Sequence, residues 1–137
     1  MESSSARRTI AAGSIGSILE WYDFGIYGYL ATVLAAHFFP SGDPTAALIA
    51  TFGVFASGYL MRPVGAVVLG HIGDRVSRKA ALILSSTLMA VATGAMALLP
   101  TYQSIGLAAP LLLTALRLLQ GLAVGGEYTG SIVLLVE

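Results

Sequence analysis

Four long apolar runs dominate the chain, separated by short polar segments. They extend roughly from Ile10 to Phe39, Thr45 to Leu69, Ala80 to Leu99 and Ile105 to Val136. A helix rises about 1.5 Å per residue, so about 20 mostly apolar residues cross the hydrocarbon of a bilayer. Each run is long enough. A membrane-spanning strand would show about ten residues of alternating polarity, and these runs are longer and do not alternate. Helices also satisfy their own backbone hydrogen bonds in lipid. The pattern predicts an all-α membrane protein with four transmembrane helices. Between them, Pro40-Ser41-Gly42-Asp43-Pro44 and Pro100-Thr101-Tyr102-Gln103-Ser104 read as turns, and Gly70 to Lys79 as a charged loop. Pro110 falls in the first turn of the fourth helix, where its missing N–H costs little.

Composition narrows the class. Of 137 residues, 56% are hydrophobic and 10% charged, against about 25% charged in a soluble domain; the mean hydropathy is +0.83. So few charges cannot cover a surface in water, which excludes disorder, a collagen-like chain and an ordinary soluble enzyme. Seven basic residues balance seven acidic ones, so no nucleic-acid partner is expected. Without cysteine there is no disulfide framework, cysteine-based zinc site or thiol nucleophile. No phosphate-binding Gly-Lys-Ser/Thr loop, His-Glu-x-x-His pattern or paired histidine occurs, so neither an enzyme nor a cofactor or metal is expected.

The basic residues also set an orientation. Residues 1–9 form a tail carrying Arg7 and Arg8, and the middle connection carries Arg75, Arg78 and Lys79, whereas the other two connections carry none. Five against zero places the N-terminus and the middle loop in the cytoplasm. The first run is too long, too acidic and too poor in small residues at its end to be a cleaved signal peptide.

The chemistry lies in the charges within the spans: Glu20, Asp23, Arg62, Arg117 and Glu127. Each costs a few kcal/mol or more against lipid, so each must face a partner, protein interior or a water-filled cavity. Three acids oppose two bases, so at least one acid lacks a basic partner within the chain. A desolvated carboxyl of that kind can take and release a proton near neutral pH. Glu20, Asp23 and Tyr27, spaced three and four apart, share a helix face that Gly13, Gly16 and Ser17 extend. The opposite face, with Ile15, Ile18, Tyr22, Ile26 and Val33, suits lipid. This face reads either as a cavity wall or as acids pairing with Arg62 or Arg117 to fix helix packing. Glu20 and Glu127 each lie about ten residues from the inner end of oppositely directed helices, roughly 15 Å deep, which is where an inverted repeat would place a midplane site.

In the fourth run, Arg117, Gly121, Gly125 and Thr129 recur every four residues, and Gln120 and Glu127 nearly eclipse each other on another face. Gly121/Gly125 and Gly126/Gly130 are small-xxx-small pairs that let helices approach closely. Arg117 offers five donors, suited to an anionic cargo group or to one of the acids. Arg62, about 12 Å from the cytoplasmic edge, reads as structural or gating and could snorkel to the interface. Pro63 frees the Tyr59 carbonyl, His37 falls near the outer interface, and Trp21 is deep enough to pack beside the cavity.

The middle loop, Gly70-His71-Ile72-Gly73-Asp74-Arg75-Val76-Ser77-Arg78-Lys79, resembles the major facilitator signature G-x-x-x-D-R-x-G-R-K, with Ser77 in place of the usual glycine. Arg117 to Gly121 resembles that superfamily's fourth-helix motif. Glu20-Trp21-Tyr22-Asp23-Phe24, Phe38-Phe39-Pro40, Arg62-Pro63-x-Gly65 and Arg117-x-x-Gln120-Gly121-x-x-x-Gly125-Gly126-Glu127-Tyr128-x-Gly130 together resemble the metabolite:proton symporters, which include proline/betaine, α-ketoglutarate, citrate and shikimate permeases. The resemblance implies that residues 10–137 form the N-terminal part of a twelve-helix, alternating-access carrier of the bacterial inner membrane. Such a carrier imports a small organic acid or zwitterion with a proton. It also implies a cytoplasmic gate at Gly70, Asp74, Arg75, Arg78 and Lys79, and a cavity lined by the first and fourth helices. The proton and substrate path then comprises Glu20, Asp23, Tyr27, Arg117, Gln120 and Glu127. Asp23 or Glu127 carries the proton, and Arg117 orients a carboxylate or the proton-carrying acid.

Four helices fall short of twelve, so the chain is expected not to transport alone and to need the C-terminal helices of a parent. Two other readings stay open. One is a complete four-helix exporter acting as a dimer, like the small multidrug-resistance proteins, although the strong basic asymmetry and the gate loop are unexpected there. The other is a non-transporting membrane assembly protein, whose intramembrane charges would be dispensable.

Overall fold

A computed structural model describes residues 18–39 and 42–136, with side chains through Glu127. The tail 1–9 with Arg7 and Arg8, the helix start at Ile10, Gly13, Gly16, Ser17, and the side chains of Tyr128, Thr129 and Gly130 lie outside that description. The described residues form helices α1 (18–29), α2 (Ala31–Phe38), α3 (Pro44–Arg75), α4 (Arg78–Ala97), α5 (Tyr102–Ile105) and α6 (Ala108–Val136). Among them, Pro44–Arg75, Arg78–Ala97 and Ala108–Glu127 are long and apolar enough to cross a membrane.

Local chemistry explains the boundaries. Leu30, at φ −88° and ψ 5°, bends the first helix without severing it. Its N–H bonds the Ile26 carbonyl at 2.8 Å, and its own carbonyl accepts from Leu34 at 2.9 Å. Asp43 caps α3 by accepting from the Thr45 N–H at 2.8 Å, and Pro44 takes the first helical position, where a missing N–H is harmless. The turn expected at 100–104 runs on through the one-turn helix α5 to Gly106 at φ 60°, a left-handed conformation that glycine adopts without steric cost.

The middle connection differs from the expected ten-residue loop. Helix α3 runs on to Arg75, and only Val76 and Ser77 separate it from α4. At 32 residues the helix is about 48 Å long, well beyond the roughly 30 Å of hydrocarbon, so polar residues 70–75 continue it past the apolar zone. Loss of apolarity marks the edge of the membrane, not the end of the helix. Ser77 is the stop: in extended conformation (φ −173°, ψ 151°), its hydroxyl accepts from the Ala80 N–H at 3.1 Å and caps α4. The serine that departs from the signature motif thus has a structural use. Asp74 and Arg78 pair at 2.9 Å across the junction.

Among helices α2 to α6, α3 and α6 make the most extensive contact. Their backbones touch along a glycine seam. A Cβ on Gly121 would run into the Gly58 carbonyl, on Gly125 into that of Arg62, and on Gly65 into that of Leu122. Gly126 packs on the Leu69 side chain. At the other end of the seam, Phe38, Val54, Ala109 and Leu113 form a buried cluster covered by Leu34, Met96 and Tyr102. Apolar side chains such as Leu60, Val67, Leu98 and Leu111 point outward.

Candidate functional site

Helix α1 presents Glu20, Asp23 and Tyr27 toward α3 and α6, where two guanidinium groups meet them. Arg117, on α6, is 1% exposed. Its Nη1 donates to Asp23 Oδ2 at 2.7 Å and to Gln120 Oε1 at 2.6 Å, while Nη2 has no hydrogen-bond partner among the described residues. Arg62, on α3, pairs with Glu20 at 2.8 Å instead of snorkelling. A burial this deep is tolerable for arginine only with a partner for its charge, and each guanidinium has taken one carboxylate. The same pairs also stitch α1 to α6 and to α3, so the cavity-wall and helix-packing readings of this face are both realised in the geometry.

An aromatic group holds the arginines in place. Phe24, Tyr27, Phe55 and Tyr59 form a cluster with centroids 4.7–5.4 Å apart, Tyr27 stacked on Phe55 and Phe55 edge-on to Phe24 and Tyr59. Arg117 Cζ lies 4.4 Å from the Tyr27 ring and 5.0 Å from Phe55. Arg62 lies 4.3 Å from Tyr59 and 4.4 Å from Phe24. Ring faces carry negative potential and stabilise a cation that has left water. The Tyr27 hydroxyl does not face the charges; it donates to the Thr51 carbonyl at 3.1 Å and ties α1 to α3.

The third acid has no cation among the described residues. Glu127 accepts only the Ser86 hydroxyl, at 3.0 Å, among the described residues. The excess acid counted in the sequence is therefore Glu127. All three carboxyls line one partly open cavity of about 560 Å³ between α1, α4 and α6. Arg117 forms no part of the wall and lies behind Asp23.

Other expectations are corrected. Tyr22 and Ile26 are exposed and also border the open side of the cavity, because they sit one and two turns along the face that carries Leu19, beside the acids. Trp21 points away, 74% exposed. Helix α4, whose run from Ala80 onward carries no charge and no expected site residue, supplies a cavity wall that includes Ser86 and Thr93. Phe55 also went unassigned. In the gate segment, Gly70 has open space around it, Gly73 lies against Ala81 and Arg78, and Arg75 and Lys79 are exposed.

Residues 9–137 match the family model described as sugar (and other) transporter. The chain belongs to this family of the major facilitator superfamily. Similar proteins from Escherichia coli K12 include a proline/betaine transporter, 39% identical over 96% of this chain and 26% of the relative. A shikimate transporter is 44% identical over 98% of this chain and 31% of the relative. The inner membrane metabolite transport protein YhjE is 45% identical over 97% and 30%. The chain thus spans between a quarter and a third of the length of these relatives. No solved structure matches it.

Proposed function

We propose that this chain forms the N-terminal four-span part of a twelve-helix, proton-coupled secondary transporter. The carrier imports a small organic acid or zwitterionic osmolyte by alternating access. The carrying observation is the buried Asp23–Arg117 pair, 2.7 Å apart, directly behind a cavity walled by three carboxyls. Of Asp23 and Glu127, we assign the proton to Asp23, because only its charge is tied to a partner that must respond, Arg117, whereas Glu127 holds no described cation that its protonation would release. While ionised it holds Arg117; once protonated it no longer neutralises the guanidinium, which keeps its bond to Gln120 and can turn to an anionic group of the cargo. A group that changes partner with its proton is what couples a gradient to cargo movement. Glu127, the acid without a cation, supplies the negative wall that a zwitterion's positive end requires.

The N-terminus and the α3–α4 junction lie in the cytoplasm, consistent with five basic residues on that side and none on the other. Asp74, Arg75, Arg78 and Lys79 form the cytoplasmic gate. The relatives' names supply proline, betaine and shikimate as the cargo classes, and the location is a bacterial inner membrane. A dimeric four-helix exporter has no support in the family match.

The test is uptake by the complete carrier in proteoliposomes. An inward proton gradient should drive accumulation of one of the three labelled compounds, and Asp23→Asn should abolish the response to the gradient. Gradient-driven accumulation by Asp23→Asn equal to that of the unaltered carrier would refute the assignment.

A further inference from the structure

We propose that Thr93 is the residue through which cargo in the cavity acts on the Asp23–Arg117 pair, by way of Gln120. The inference rests on the transporter reading above and names the part of the cavity wall that reports occupancy.

The observation is a chain of hydrogen bonds that all point one way. Arg117 Nη1 donates to Gln120 Oε1 at 2.6 Å, and Gln120 Nε2 donates to Thr93 Oγ1 at 2.9 Å. Thr93 lines the cavity beside Asp23, and its own hydroxyl hydrogen has no acceptor among the described residues. Gln120 is 2% exposed, so it cannot exchange these partners for bulk water. Thr93 holds the amide nitrogen and so keeps the amide oxygen aimed at Arg117. The chain starts at the charge pair and ends at a free donor facing the cargo space.

An oxygen of the cargo, carboxylate or hydroxyl, completes the chain by accepting from Thr93. Hydrogen bonds in series polarise one another, so Thr93 then holds Gln120 more firmly, and Gln120 holds Arg117 more firmly. Arg117 Nη1 is shared between Gln120 and Asp23, and a stronger bond to the first is a weaker hold on the second. Cargo binding and proton binding become linked, each favouring the other. Of the charged and titratable groups around Asp23, Arg117 reaches it from α6. Glu20 and Tyr27 sit on its own helix, Arg62 of α3 is held on Glu20, and Glu127 of α6 lies across the cavity. Helix α4 brings only the uncharged Ser86 and Thr93, so Thr93 acts on the pair without adding a charge. It is a positioning residue for Arg117.

The experiment compares the complete carrier with its Thr93→Val and Thr93→Ser variants in proteoliposomes. KM for labelled proline, glycine betaine and shikimate is measured over a series of external pH values. In the unaltered carrier KM rises as the proton site empties. Thr93→Val should raise KM about tenfold at the acid end, the loss of one good hydrogen bond, and should remove its dependence on pH. Thr93→Ser should restore both. If valine does not reach the membrane, Thr93→Ala is read the same way. A KM raised by one constant factor at every pH, an unchanged pH profile, or a serine variant that behaves like valine would each overturn the proposal. Absence of gradient-driven uptake by the unaltered carrier would instead count against the proposed function itself.

Discussion

At the residue scale, the site is a matter of which charges have partners. Asp23 is 20% exposed and faces a guanidinium that is 2% exposed, so removing the carboxylate strands a buried cation. Breaking a buried pair from one side costs about 3–5 kcal/mol. Asp23→Asn should therefore lower the unfolding temperature of the detergent-solubilised carrier markedly. Glu127 neutralises no described cation, and Glu127→Gln keeps a partner for the Ser86 hydroxyl, so its cost should stay below about 1 kcal/mol. The two substitutions have the same chemistry, and thermal unfolding measured side by side should separate them. The excess of acids over bases was legible in the sequence; which acid was left over was not. The roles of Ser86 and Thr93 left no sequence signal, because a hydroxyl in an apolar helix ordinarily bonds its own backbone. Thr87 does so, to the Ile83 carbonyl at 2.7 Å.

At the element scale, the α3–α6 seam depends on the absence of side chains at particular glycines. A methyl group at Gly121 would meet the backbone carbonyl of Gly58, which cannot rotate away. Gly121→Ala should cost about 1–3 kcal/mol or more through forced separation of the helices. Gly94 of α4 has open space around it, and Gly94→Ala should be neutral or stabilising by up to about 1 kcal/mol. The unfolding temperatures of the two variants provide the check. Spacing on the fourth run pointed to Gly121, Gly125 and Gly126, whereas Gly58 and Gly65, which complete the seam, stand seven apart and belong to none of the small-xxx-small pairs of their run, such as Gly53/Ser57. At the α3–α4 junction, Ser77→Ala should cost about 1 kcal/mol and Ser77→Gly only a few tenths, because glycine also serves at a helix N-cap. That ranking accounts for serine and glycine both suiting this position of the motif.

At the scale of the whole molecule, the orientation has a direct test. The chain has no cysteine, so a single cysteine can report the side on which it sits. In a carrier freed of cysteine elsewhere, Ser77→Cys should react with a membrane-impermeant thiol reagent only when the cytoplasmic face is accessible. Gly42→Cys and Thr101→Cys should react from the opposite face. Labelling of Ser77→Cys from outside intact cells would invert the assigned topology.

By itself, the sequence determined that the chain is helical and membrane-embedded, roughly where each apolar run lies, and that the acids exceed the bases inside it. Those properties follow from hydrophobicity and a 3.6-residue period, which each short segment carries independently of the others. Tertiary structure alone decided that Arg117 takes Asp23, Arg62 takes Glu20 and Glu127 goes without. It also decided that the uncharged stretch of α4 walls the cavity and anchors Gln120. Arg117 and Asp23 stand 94 residues apart, and an ion pair or hydrogen bond is set by a separation of about 3 Å between side-chain atoms. That distance exists only once the helices have packed along their glycines.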